Sequence, residues 1–110
     1  MSFRTPDHVE RELRRVVERI VSLGPARLAR PSEHLDGDTP EQRVRRVAQW
    51  LADRAAALER RPRVVVPDVA PHALGDQIAV LARDVLIAAP DDWDVADELH
   101  EHLVALRRSL

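Results

Sequence analysis

Residues 71–90 read PHALGDQIAVLARDVLIAAP, and this stretch decides the fold. Pro71 and Pro90 bound it. Between them Leu74, Ile78, Leu81, Val85 and Ala88 recur every three or four residues, the signature of one helix face. Leu86 falls on a flank of that face, while Val80 and Ile87 fall nearly opposite it. A helix that is apolar almost all round is central in a bundle or sandwiched at an interface. The spacing therefore predicts a helix over 70–89 that needs company on more than one side.

The neighbouring segments supply that company. Downstream, Asp91 or Asp92 can cap a helix over 92–109 whose Ala96, Leu99, Leu103, Leu106 and Leu110 follow at bundle spacing. Upstream, Pro62 and Pro67 bracket an extended connector over 62–67 that carries Val64, Val65 and Val66. These residues form the chain's one β-branched run, so no sheet can form around it within one chain. It should fill a groove, with pairing between two copies as the alternative. Before it, Thr39 and Gln42 are spaced as a capping box. They open a helix over 40–60 with Val44, Val47, Ala48, Leu51, Ala55 and Leu58 facing inward. Residues 24–39 read as an irregular loop that Leu28 and Leu35 could pin to the core. In that loop Asp36-Gly37-Asp38 is a turn, because it lacks the ligand series of a calcium loop. The first helix spans about 6–23: Thr5 caps it, Pro6 suits its first position, and Gly24-Pro25 ends it. Its apolar stripe is Val9, Leu13, Val16, Val17, Ile20 and Val21. The expected fold is all-α, an antiparallel four-helix bundle in a single domain over 1–110. A three-helix core with the first helix exchanged or docked separately is the alternative.

Composition excludes several function classes. The chain has 110 residues and no cysteine, which removes disulfides, thiolate zinc sites and cysteine catalysis. No apolar run approaches the roughly 18 residues of a membrane span, and Met1–His8 lacks the apolar core of a signal peptide. A soluble, cytoplasmic protein is expected. All 17 basic residues are arginine. A GC-rich bacterial genome gives that bias everywhere, whereas recognition of planar anions would concentrate it locally. The net charge of −2 offers no global field for nucleic acid or anionic membrane. The charge is nonetheless uneven, with 14 arginines against 10 acids in residues 1–63 and 3 against 9 in residues 64–110. The two halves should attract each other within the chain.

Candidate functional residues fall into three groups. On the third helix His72, Asp76 and Arg83 lie within about 40° of one another, on the side of Val80 and Ile87. As an interface this stripe makes sense, since the apolar pair supplies area and Asp76 and Arg83 can pair across a two-fold axis. Trp50, about 100° from the centre of the second helix's apolar stripe, joins this candidate interface. The competing reading is that the first helix or the 26–38 loop covers the stripe. His72 and Asp76 also have the i,i+4 spacing of a base and its orienter, but no nucleophile or cofactor motif accompanies them. His8, His72, His100 and His102 are weak metal candidates. Bundle metalloproteins of the DinB type draw three histidines from separate helices, a similarity of fold class alone. Asp97 and His100 share the i,i+3 spacing of the Glu-x-x-His motif in di-iron bundles, but no second copy of the motif accompanies them. Arg43, Arg46, Arg60 and Arg61 make the best basic patch, interrupted by acids and without stacking aromatics, so a solvated face explains it better than nucleic acid does. The function expected is a small, non-enzymatic helical protein–protein interaction module that self-associates, with no cofactor. A bundle holding a metal or small ligand between helices is the alternative, and a DNA-associated regulator the third reading.

Overall fold

The computed structural model describes residues 5–110; Met1–Arg4, part of the segment read above for a leader, lie outside them. Four α-helices account for most of the chain: α1 (Pro6–Leu28), α2 (Pro40–Leu58), α3 (Leu74–Ala88) and α4 (Trp93–Ser109). Short 3-10 turns at Glu33–Leu35 and Pro71–Ala73 precede α2 and α3. The expected all-α four-helix bundle is therefore present, but its helices are not all antiparallel to their neighbours, as their side-chain register shows. Each start signal operates as its chemistry dictates. The Thr39 hydroxyl accepts from the Gln42 N–H at 3.0 Å, and Gln42 accepts from the Thr39 N–H at 2.7 Å. Thr5 forms the same reciprocal box with His8, and Asp92 rather than Asp91 caps α4.

The inner faces of all four helices merge into one core. Leu13, Val16, Val44, Leu51, Leu74, Ile78, Leu99 and Leu103 are among its fully or nearly fully buried members. The buried face of α3 is rotated from the expected stripe, because Ala82 is buried while Leu81 and Ala88 are only partly so. The cause is close docking of α1. A Cβ at Gly75 would lie 3.2 Å from Val17 Cγ1, so small residues at 75 and 82 let α1 approach α3 on that side. Val21, expected inside, is exposed.

Side-chain register gives the helix directions. Arg54 meets Glu98 and Trp50 meets His102, so α2 and α4 run antiparallel. Val17 lies against Gly75 and Glu10 against Arg83, so α1 and α3 are antiparallel too. Glu12 meets Arg107 and Arg19 meets the Leu110 carbonyl, which makes α1 and α4 parallel neighbours. The connector explains this. Leaving α2, it runs back along that helix: Gln49 bonds the Val64 carbonyl and the Val66 N–H, and Arg45 bonds the Val69 carbonyl at 2.8 Å. Consecutive helices α1 and α2, and α3 and α4, stay antiparallel, while α2 and α3 point the same way. Only Val66 and Val69 of the connector pack against the core; Val64 and Val65 are exposed.

The 24–39 segment is more ordered than a loop. Gly24 breaks α1 at φ 75°, ψ 164°, but Pro25–Leu28 resume a helical turn, and Leu28 and Leu35 are buried as expected. That Gly24 geometry is one that essentially only glycine adopts. Gly24→Ala should therefore destabilise the protein by about 1–3 kcal/mol in urea denaturation, although no atom lies within 4 Å of the added methyl. An unchanged midpoint would mean that the kink is not held.

Candidate functional site

The outer face of α3 carries the residues singled out as an interface. Val80 is 57% exposed and Ile87 74%, two turns apart on one line of the helix. His72, Asp76 and Arg83 are exposed beside them. Arg83 is not idle, since its Nε and Nη2 grip both oxygens of Glu10 on α1 at 3.0 and 3.1 Å. This bidentate contact, with the Glu10 charge behind it, raises the arginine's pKa further above its ordinary value. Neither α1 nor the 29–39 segment covers Val80 or Ile87. Val21 on α1, on one side of α3, is exposed and lies beside Gly75. On the other side the connector, tied to Gln77 through the Pro67 carbonyl, carries the exposed Val64 and Val65. Trp50 belongs elsewhere: half-buried between α2 and α4, it stacks on His102 with ring centroids 3.6 Å apart.

The histidines are dispersed. His102 donates from Nδ1 to the Glu98 carbonyl at 2.9 Å while stacked on Trp50. His72 lines a small cleft of about 140 Å³ between the end of α1 and the start of α3, with Ile20, Val21 and Leu28. His72 and Asp76 are joined by no hydrogen bond among the described residues. His8 and His100 do come together, in a separate groove between α1 and α4. Among the described residues no group of three His, Asp or Glu side chains converges as a metal ion requires.

That α1–α4 groove holds the grouping that sequence reasoning missed. Arg11 and Arg15, one turn apart on α1, face Arg107 and Arg108 at the end of α4 across a pocket of about 270 Å³. At its floor is Glu12, the one buried charged residue among those described, with a side chain 5% exposed. Glu12 accepts a short hydrogen bond from Arg107 Nε and lies 3.6 Å from Arg15 Nη1. A carboxylate so far out of water is tolerable only with such partners. Among the described lining residues, four guanidiniums face one carboxylate, which makes this wall of the groove cationic. The signal in the sequence is Arg11, Arg15 and Arg19 at i, i+4, i+8, but its partners on α4 depend on helix direction.

The basic patch expected on and after α2 is mostly internally satisfied. Arg46 grips Asp38 through two nitrogens, at 2.7 and 3.3 Å, and Arg43 approaches the same carboxylate at 3.3 Å. Arg61 pairs with Glu59, and Arg60 takes φ 55° to close α2, a conformation glycine usually supplies. The uneven charge of the two halves is met across the chain by Arg54–Glu98 and Arg45–Asp68. It is also met in the opposite sense by Glu10–Arg83 and Glu12–Arg107.

Two outcomes follow from these ion pairs. Arg107→Gln should cost about 1.5–3 kcal/mol in denaturant unfolding, because it strips a buried carboxylate of its hydrogen bond. Arg15→Gln, at an exposed position, should cost below about 1 kcal/mol; equal losses would show that Glu12 does not depend on Arg107. The hydrogen bond from Arg46, then the charges of Arg46 and Arg43, holds the Asp38 carboxyl below its usual range. The ionised form is thus favoured by folding, a contribution present at neutral pH and lost as pH falls through the lowered value. Asp38→Asn should lose less stability than the native chain between about pH 5 and pH 2, the range in which carboxylates titrate. Parallel acid-unfolding curves for the two proteins would contradict this.

Comparison with protein-family models, with curated proteins and with solved structures returns no match to this chain.

Proposed function

We propose that this chain is a small, cytoplasmic, non-enzymatic helical interaction module that self-associates through the outer face of α3. The observation that carries the reading is the exposure of Val80 and Ile87 on a helix whose opposite face already fills the core. Scattered apolar residues on a surface are ordinary, but here two large ones lie in line. Val21 on α1 and Val64 and Val65 on the connector, the elements on either side of α3, are exposed as well. Charge favours a second copy as the occupant. Asp76 and Arg83 sit four residues before and three residues after Val80. A two-fold axis beside Val80, with α3 packed antiparallel on its copy, sets Asp76 opposite Arg83 of the other chain, and the reverse. Val80 then meets its own counterpart near the axis, and Ile87 lies level with His72 of the second copy. The Glu10 contact occupies Nε and Nη2 of Arg83, so Nη1 is the edge available to a second carboxylate. A two-fold contact of this kind is self-complementary and closes without forming fibres.

Light scattering on a sizing column, across about a hundredfold range of concentration, tests the proposal by mass action. The expected species is twice the 12.5 kDa chain mass, reverting to the monomer in Val80→Glu or Ile87→Glu. A monomer at every concentration, or a dimer indifferent to both substitutions, would contradict it.

A further inference from the structure

We propose that the groove between α1 and α4 binds a small phosphorylated molecule that carries at least two negative charges. The argument rests on convergence. Arg11 and Arg15 come from one helix and Arg107 and Arg108 from another, and the parallel docking of the two helices brings them to one pocket. Glu12 offsets one of the four positive charges and fixes Arg107 by its Nε, leaving the two terminal nitrogens of that guanidinium for an anion. Neither Arg11 nor Arg108 has a carboxylate partner among the described residues, so two like charges are held near each other without internal compensation. Guanidinium forks match phosphoryl oxygens in pairs.

His8 adds a donor. The Thr5 N–H donates to its Nδ1 at 3.0 Å, so the neutral ring carries its proton on Nε2. Size limits the ligand, because about 270 Å³ lies at the lower edge of the roughly 300–1,000 Å³ of small-molecule sites. A pyrophosphate or a phosphorylated small metabolite fits that volume. A nucleic-acid strand is disfavoured, since Glu18 interrupts the arginines between Arg15 and Arg19 and, among the described residues, no Phe, Tyr or Trp lines the pocket.

Calorimetric titration of the full chain at low ionic strength, with pyrophosphate as the probe and orthophosphate as comparator, tests the assignment. The expected result is one pyrophosphate per chain, bound more tightly than orthophosphate. The double variant Arg11→Gln/Arg108→Gln should weaken it by at least about tenfold, as loss of charge-assisted hydrogen bonds does. Both positions are exposed, so its melting temperature should match that of the native chain. If it does not, Arg11→Gln alone carries the comparison. Arg43→Gln/Arg46→Gln, on the other arginine cluster, should leave pyrophosphate binding unchanged. No binding, equal affinity in the Arg11/Arg108 variant, or an equal loss in the Arg43/Arg46 variant would overturn the site. So would a short single-stranded oligonucleotide that binds as tightly as pyrophosphate, since the ligand would then be a nucleic acid.

Discussion

A chain that leaves α2 at one end of a bundle must return along the bundle before a helix parallel to α2 can begin, and most of this architecture follows from that return. The 19 residues of α2 span about 28 Å at helical rise, and the twelve residues 59–70 can reach about 40 Å when extended. Prolines at 62, 67 and 71 keep the segment from coiling up and shortening. Arg45 and Gln49 then act as rungs, supplying from their side chains the hydrogen bonds that the connector's backbone lacks. With α2 and α3 pointing the same way, the short turn at Ala89–Asp92 leaves α4 parallel to α1.

The two surfaces argued for function are both consequences of that arrangement. Parallel docking of α1 and α4 gathers arginines from the middle of one helix and the end of the other, and the charge that accumulates needs Glu12 beneath it. A buried carboxylate is a poor contributor to stability in its own right. Here it orients Arg107 and tempers the repulsion among its neighbours. On the far side of the molecule, α3 lies between α1 and the connector-lined α2. Its third side is left uncovered, with Val80 and Ile87 on it.

Much of the fold was legible because its signals are local. Thr39 with Gln42, Gly24 with Pro25, and the period of Val9 to Ile20 each act within a few residues. The helix spans accordingly fall close to their expected places. Leu28 and Leu35 were legible as anchors because large apolar residues in a polar loop have few other uses. Helix direction was not legible, because a run of valines between prolines does not reveal whether it turns back or travels the length of its neighbour. Everything that depends on direction was hidden with it. This includes the shared groove of Arg11 and Arg108, the pairing of Arg83 with Glu10, and the separation of Trp50 from the α3 face. The rotation of α3 toward Ala82 was also hidden, because a small residue gives no sign of which helix will exploit it.

Absence of cysteine makes one measurement direct. A single Val80→Cys substitution places a thiol beside the proposed two-fold axis, where a disulfide needs Cα atoms within about 4.4–6.8 Å. Under mild oxidation the account predicts rapid, near-complete cross-linking of Val80→Cys into a covalent dimer. Cysteine placed at exposed Trp93, at the start of α4, should cross-link slowly and incompletely. Equal rates at the two positions would show that chains meet only by random collision, and the self-association assigned to α3 would be wrong.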